Sequence, residues 1–306
     1  MSVPSNVLEI RYSKIYNKYV KEDIKIGSIS DTHISDSISE KEIDFMINTF
    51  KKENPNYICV LGDIIDYPRI VDNDNNKNKC IKLFQGLSKI SPVYIVLGNH
   101  DYINYDKEDK YSENYKKSFW DEVNSIKNVT IIDDKKIVLK DIVLCGYRLK
   151  KLSYHSEEDK LFYYDFQNIK ELNSVKDIKP KVLLMHSPHP FFDKNNVLLI
   201  DDYDLILCGH YHNGCVPPIL DKVLSNHRGI IAPSKRLFPK NVRGIKKINN
   251  HTYLINNGGW TKVPHNAPKK YRIFDKLCNR QIDITTLTND KKYENIKIKT
   301  TKRKKV

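Results

Sequence analysis

Five short stretches place carboxylates, imidazoles and an amide directly after runs of apolar residues. "SISDTH" ends in Asp31 and His33, "VLGDIID" supplies Asp63 and Asp66, and "VLGNHD" supplies Asn99, His100 and Asp101. "LLMHSP" supplies His186, and "LCGHYH" supplies His210 and His212. Carboxylate, imidazole and amide oxygen suit borderline or hard divalent ions such as Mn, Fe, Zn or Co, and the chain has no CxxC pair to build a structural zinc knot. The set exceeds what one tetrahedral ion needs. It suits two ions about 3.5–4 Å apart that share a carboxylate, make a hydroxide near neutral pH and clamp a phosphoryl group. A lone Asp-x-His or Gly-Asp would mean little. The weight lies in the Gly-Asn-His-Asp after an apolar run and in the recurrence of the pattern five times.

Side chains that must converge need rigid mounts, and the apolar runs supply them. Ile24–Ser30, Tyr57–Gly62, Val93–Gly98, Val182–His186 and Leu205–Gly209 are continuous and apolar, as strands covered on both faces are. In open α/β sheets, ligands bind beyond the carboxyl ends of strands. Gly98 lets the backbone turn close to the polar cluster. Between the first two runs, Ser39 and Glu42 form a capping box, Ile43, Met46, Ile47 and Phe50 share a helical face, and Pro55 follows the stop. Asn78–Ile90 and Glu113–Ile126 read as two further helices, so β-α-β units and a largely parallel first sheet are expected. "KKIVLKDIVLCGYR" predicts a hairpin turning at Lys140 and Asp141. "GIIAPS", "HTYLIN" and "QIDITTL" predict further strands, antiparallel and forming a second sheet.

The chain has 306 residues, 40% of them hydrophobic, enough for a sizeable core. No apolar run approaches the ~20 residues of a membrane helix, and "MSVPSNVLEIRYSKIYNKYV" lacks the apolar core of a secretory signal, so a cytoplasmic protein with no transmembrane segment is expected. Six cysteines, three of them inside strand-like runs, read as buried hydrophobes of a reducing compartment. The net charge is +14, and the stretch from Asn289 to Val306 holds eight Lys or Arg against two acids. A solvated, disordered tail is expected there, with nucleic acid or an anionic membrane as the partner such a tail could meet.

The combined set, Asp31-Thr-His33, Gly62-Asp63-x-x-Asp66, Gly98-Asn99-His100-Asp101, His186 and Gly209-His210-Tyr-His212, resembles the calcineurin-like metallophosphoesterase superfamily from about Ile24 to Leu287. "HSPHPFFDKNN" and "YDLILCGHYHNG" look like its small stand-alone bacterial branch, except that Asn213, Gly214 and Cys215 follow His212 where that branch continues Gly-Gly-Gln. The resemblance implies an α/β fold, a four-layer αββα sandwich of two mixed β-sheets flanked by helices, spanning residues 1–288, with 289–306 as the basic tail. It implies two divalent metal ions, manganese first and iron, zinc, cobalt or nickel as alternatives. Asp31, His33 and His212 would hold one, Asn99, His186 and His210 the other, and Asp63 would bridge them. His100 would give a proton to the leaving oxygen, with Asp66 orienting it and favouring its charged form. Asp101 reads as a support for the ligands. The implied activity is hydrolysis of a phosphate ester, diester or monoester, by a hydroxide bridging the metals. The competing readings are a non-catalytic scaffold of the same fold and a nuclease using the basic surface. His189, Lys235, Arg236 and Arg243 read as loop residues with a minor claim to substrate.

Overall fold

The computed structural model describes residues 7–104, 113–154, 168–169, 171–172, 178–191, 202–220, 223–224, 227–233, 237–263, 269–293 and 301–305. The strands, in chain order, begin with β1 (Val7–Tyr16), β2 (Ile24–Ile29), β3 (Tyr57–Leu61), β4 (Val93–Val96) and β5 (Val129–Ile131). They continue with β6 (Lys135–Val138), β7 (Val143–Tyr147), β8 (Lys181–Met185) and β9 (Leu205–Cys208). The last are β10 (Gly244–Lys247), β11 (Tyr253–Asn256), β12 (Arg280–Thr288) and β13 (Thr301–Lys305). They form two mixed sheets, ordered β13-β1-β12-β2-β3-β4-β5 and β10-β11-β9-β8-β7-β6.

The five apolar runs became the central strands of these sheets. β2, β3, β4 and β5 pair in parallel, as do β7, β8 and β9. The hairpin between β6 and β7 turns at Lys140 and Asp141 as its sequence predicts. The second sheet differs from the antiparallel expectation, because β11, β9, β8 and β7 all run parallel and only its two edge strands are reversed. Among the described residues of "GIIAPS", 229–233, there is an isolated bridge from Ile231 to Leu237 and no strand, and Gly229 packs against Gly214. β1, β5, β10 and β13 were not anticipated. β13 pairs antiparallel with β1 in a tail whose composition predicts disorder.

Helix α1 (Glu40–Glu53) starts at the capping box, with Ser39 Oγ accepting from the Glu42 N–H and Glu42 reaching back to the Ser39 N–H at 2.8 Å. Its buried stripe of Ile43, Met46 and Phe50 lies on the first sheet. Helix α2 (Asp74–Ser88) begins four residues before the sequence expectation, capped by Asn73, whose side chain accepts from two N–H groups of the first turn. After the short α3 (Asn99–Tyr102), α4 (Lys117–Ser125) starts later than expected, since Glu113 bridges to Ile103 instead. A second apolar layer, including Ile26, Leu61, Val96, Leu144, Leu184 and Leu207, fills the space between the sheets. A third, including Cys145, Met185, Phe191 and Tyr203, covers the far face of the second sheet. All six cysteines are free and buried. Among the described residues no helix is long and apolar enough to cross a membrane.

Trp120 is fully buried where α4 meets the first sheet, beside Phe119. Trp120→Ala is expected to cost about 3–5 kcal/mol of folding free energy, read as a lower urea midpoint at an unchanged slope.

Candidate metal centre

Parallel pairing sets the carboxyl ends of β2, β3 and β4 side by side, and β8 and β9 do the same in the second sheet. The lateral bonds continue past the strands. The Asp31 N–H donates to Gly62 O at 2.9 Å and the His33 N–H to Asp63 O at 3.0 Å, while the Gly209 N–H donates to His186 O at 2.8 Å. The loops are thus held almost as firmly as the sheets. Gly98 has the role its place in the sequence predicts: a Cβ there would lie 2.3 Å from Asp63 Oδ1 and 2.8 Å from His186 Cγ. Five candidate ligands sit in the left-handed region, Asp31 at φ 51°, His33 at 43°, Asp63 at 51°, His210 at 72° and His212 at 48°. Non-glycine residues held there cost of order 1–3 kcal/mol each and cluster at functional sites.

Buried side chains converge accordingly. Donor atoms of Asp31, His33 and His212 lie within 4.8 Å of one another, as do those of Asp63, His186 and His210, and those of His33, Asp66 and His100. Asp63 Oδ2 joins the groups, 3.0 Å from His186 Nε2 and 3.8 Å from His33 Nε2. Asn99 is buried at the start of α3, next to His100, whose backbone N–H donates to Asp63 Oδ1 at 2.8 Å.

The imidazoles are aimed by their far nitrogens. His186 Nδ1 donates to Leu61 O and His212 Nδ1 to Thr261 O, both at 2.7 Å. A carbonyl can only accept, so each ring, once neutral, has its lone pair on the Nε2 that faces the cluster, the arrangement metal-binding histidines favour. His210 Nδ1 lies 3.2 Å from His186 Nε2, a spacing natural to two ligands of one cation. The buried Nε2 of His33 makes no hydrogen bond. A deep set of imidazole and carboxylate donors that leaves a buried nitrogen unsatisfied fits divalent cations.

The electrostatics agree. Burial alone would lower His33 and His186, but carboxylates outweigh it, Asp66 and Asp63 beside His33 and Asp63 beside His186, and hold both at about 9. Burial would raise Asp63, but His186 and His100 hold it well below the usual carboxylate range. Burial wins at His212, pushed down to about 4, and at His210, held well below the ordinary histidine range by burial and by the neighbouring His186 and His189.

Two expectations change. Asp66 holds His100 through its main chain, with its carboxylate within 4.8 Å of a ring nitrogen of His100. Its backbone carbonyl accepts from His100 Nδ1 at 2.6 Å, while its Oδ1 lies 3.3 Å from His33 Nδ1. Burial also lowers His100, outweighing the nearby carboxylates that were expected to keep it charged. Asp101 ties neighbouring loops together. Its Oδ1 accepts from the Ile64 and Ile65 N–H groups and its Oδ2 from the Gly98 N–H, so one carboxylate clamps two ligand loops together. Burial raises it to about 7. His189 bridges Ser187 Oγ, at 2.7 Å, and the Tyr211 hydroxyl. Arg243 is buried and donates to Leu224 O at 3.4 Å, whereas Lys235 and Arg236 lie outside the described residues.

Sequence reasoning missed two contributors. Tyr154 packs edge to face with His210, their ring centroids 5.4 Å apart. The arch of residues 257–262 supplies Thr261 O to His212 and packs Gly259 against Asp31. Its "NNGGWTK" carries the Asn-Gly signal of a tight turn, but nothing local in it points to a metal ligand.

The family profile described as calcineurin-like phosphoesterase matches residues 24–214. An uncharacterised metallophosphoesterase of Campylobacter jejuni is 26% identical over 204 residues, 66% of this chain and 47% of that protein, so the chain spans about half the length of that relative. Another from Aquifex aeolicus is 25% identical, covering 70% of this chain and 74% of its own. Among solved structures, a dimetal phosphatase of Danio rerio aligns over 77% of this chain and 87% of its own, with a TM-score of 0.45 and 15% identity. On the profile match, which covers more than half of its length, this chain belongs to the calcineurin-like phosphoesterase family.

Proposed function

We propose that the chain is a metal-dependent phosphoesterase whose centre uses Asp31, His33 and His212 for one divalent cation, Asn99, His186 and His210 for a second, and Asp63 for both. The observation that carries this reading is the place of Asp63 between the two buried donor groups, its Oδ2 3.0 Å from His186 Nε2 in its own group and 3.8 Å from His33 Nε2 in the other. Held there, two cations would supply Lewis-acid polarisation of a phosphoryl group and activation of water, with manganese as the first candidate. The chain's own residues do the rest. His186 and His212 are locked in one tautomer by backbone carbonyls, and Asp101 keeps the Asp63 loop against Gly98. His100 Nδ1 donates to Asp66 O, so Nε2 is the nitrogen that passes a proton to the leaving oxygen. An anionic phosphoryl group beside it opposes burial and favours the charged imidazole that this transfer requires. Residues 1–288 form the catalytic unit on this reading, and both phosphodiesters and phosphomonoesters fit it.

Chelation followed by dialysis is expected to abolish hydrolysis of an aryl phosphodiester, and Mn²⁺ add-back to restore it. The same treatment should lower the melting temperature, since ions that bind only the folded state stabilise it by about 2.7 kcal/mol at a hundredfold excess over Kd. Activity that survives chelation, with no ion left by elemental analysis, would refute the assignment.

A further inference from the structure

Asp31 is held by more than its own loop. Its Oδ2 accepts from Ser30 Oγ, and Ser30 Oγ lies 3.0 Å from Asn257 Oδ1. Asn257 is fully used: Oδ1 shares the single Ser30 hydroxyl proton with Asp31 Oδ2 and accepts from the Gly259 N–H at 2.9 Å, and Nδ2 donates to Ser28 O at 3.1 Å and to Asp283 Oδ2 at 3.0 Å. Asp283 in turn takes both Arg11 Nε at 2.7 Å and Arg11 Nη2 at 2.8 Å, and Gln281 Nε2 at 2.9 Å. Arg11 Nη2 reaches on to Asn256 O at 2.6 Å. Arg11, Asp31, Asn257 and Asp283 are all buried.

The path links both sheets. Arg11 and Asp283 belong to β1 and β12 of the first sheet, and Asn256 ends β11 of the second. The arch that leaves β11 then returns to the centre, with the Thr261 N–H donating to Asp31 O at 2.9 Å and Thr261 O accepting from His212. Two of the three side chains assigned to the first cation therefore rest on one buried network. Its anchors, Arg11, Asn257 and Asp283, lie outside the 24–214 stretch that the family profile matches.

We infer that Asn257 is a positioning residue for the first cation: clamped by the Arg11–Asp283 pair, it fixes Ser30 and the arch, and through them the Asp31 carboxylate and the His212 ring. The inference rests on the proposed dinuclear centre. An isolated buried pair of this kind adds little net stability, whereas fixing ligand orientation is worth 10–100-fold in metal affinity.

The test is manganese binding to the purified full chain, with stoichiometry by elemental analysis and affinity by competition with a chromophoric chelator. Asn257→Ala is expected to weaken one of two ions by about 10–100-fold and leave the other unchanged. Ser30→Ala, which deletes only the hydroxyl, should weaken the same ion by less, and it carries the test should Asn257→Ala fail to fold. Asn76→Ala, an equally buried amide bonded to Asp36 remote from the arch, should lower the melting temperature without changing either affinity. Two unchanged affinities in folded Asn257→Ala or Ser30→Ala, or equal weakening of both ions, overturn the positioning role while leaving the dinuclear reading intact. A wild-type chain that binds no manganese overturns both.

Discussion

On the proposed dinuclear reading, Asp63→Asn is expected to lower phosphoesterase activity by about 10³-fold or more and to cost the chain at least one of the two proposed ions. Two cations held there would supply several kcal/mol of Lewis-acid stabilisation, and each 1.4 kcal/mol is a factor of ten in rate. The substitution is nearly isosteric. Asn keeps an oxygen for the His100 N–H now bonded to Oδ1. It puts an NH₂ group where Oδ2 stands 3.0 Å from His186 Nε2, and an amide nitrogen cannot ligate. Packing survives and the shared ligand does not. Elemental analysis should find fewer than two ions per chain; two ions and wild-type turnover would remove Asp63 from the proposed bridge.

The same variant should show in the metal-free protein's stability against pH. His33 and His186 are raised to about 9, so the stabilisation they draw from Asp63 is fully present below the unfolded value near 6.5. It is lost as pH rises through 9. Above pH 7 the depressed histidines are already neutral and the buried Asp101 and Asp133, at about 7, are largely ionised. The wild-type metal-free melting temperature should therefore fall between pH 7 and 9, and Asp63→Asn should flatten that fall. An unchanged slope would mean that Asp63 does not hold those imidazoles charged.

What the sequence disclosed and what it withheld divide along the range of the interactions. The strand ends were legible because an apolar run, a glycine and a polar cluster are adjacent in the chain, and α1 was legible because Ser39 and Glu42 are three residues apart. β1 was not. "VLEIRYSKIY" alternates apolar and polar residues, and Arg11 can be buried only because Asp283 neutralises it 272 residues away. The same holds for the arch, whose Thr261 O meets His212 across 49 residues. Asp66 shows the limit at short range. The resemblance implied that it orients His100, but only the fold shows that the Asp66 carbonyl accepts from the His100 ring while Oδ1 lies 3.3 Å from His33 Nδ1.

His100→Ala should separate proton donation from metal binding. The ring is half-buried, bonded through Nδ1 to Asp66 O, with its centroid 4.7 Å from that of His33. The hydrogen bond His100 gives to Asp63 comes from its backbone N–H, which alanine keeps. Both ions should therefore remain, and the melting temperature of the metal-loaded protein should move little. Turnover of an ester with a poor leaving group, such as an alkyl phosphate ester, should drop by about 10²–10⁴-fold, the usual worth of a positioned general acid. An activated aryl ester, whose leaving oxygen needs no proton, should lose far less. The comparison of the two substrates is the decisive measurement, because a ring that only bound phosphate would slow both alike. Equal losses would reassign His100 to charge stabilisation, and a loss of metal would make it a ligand.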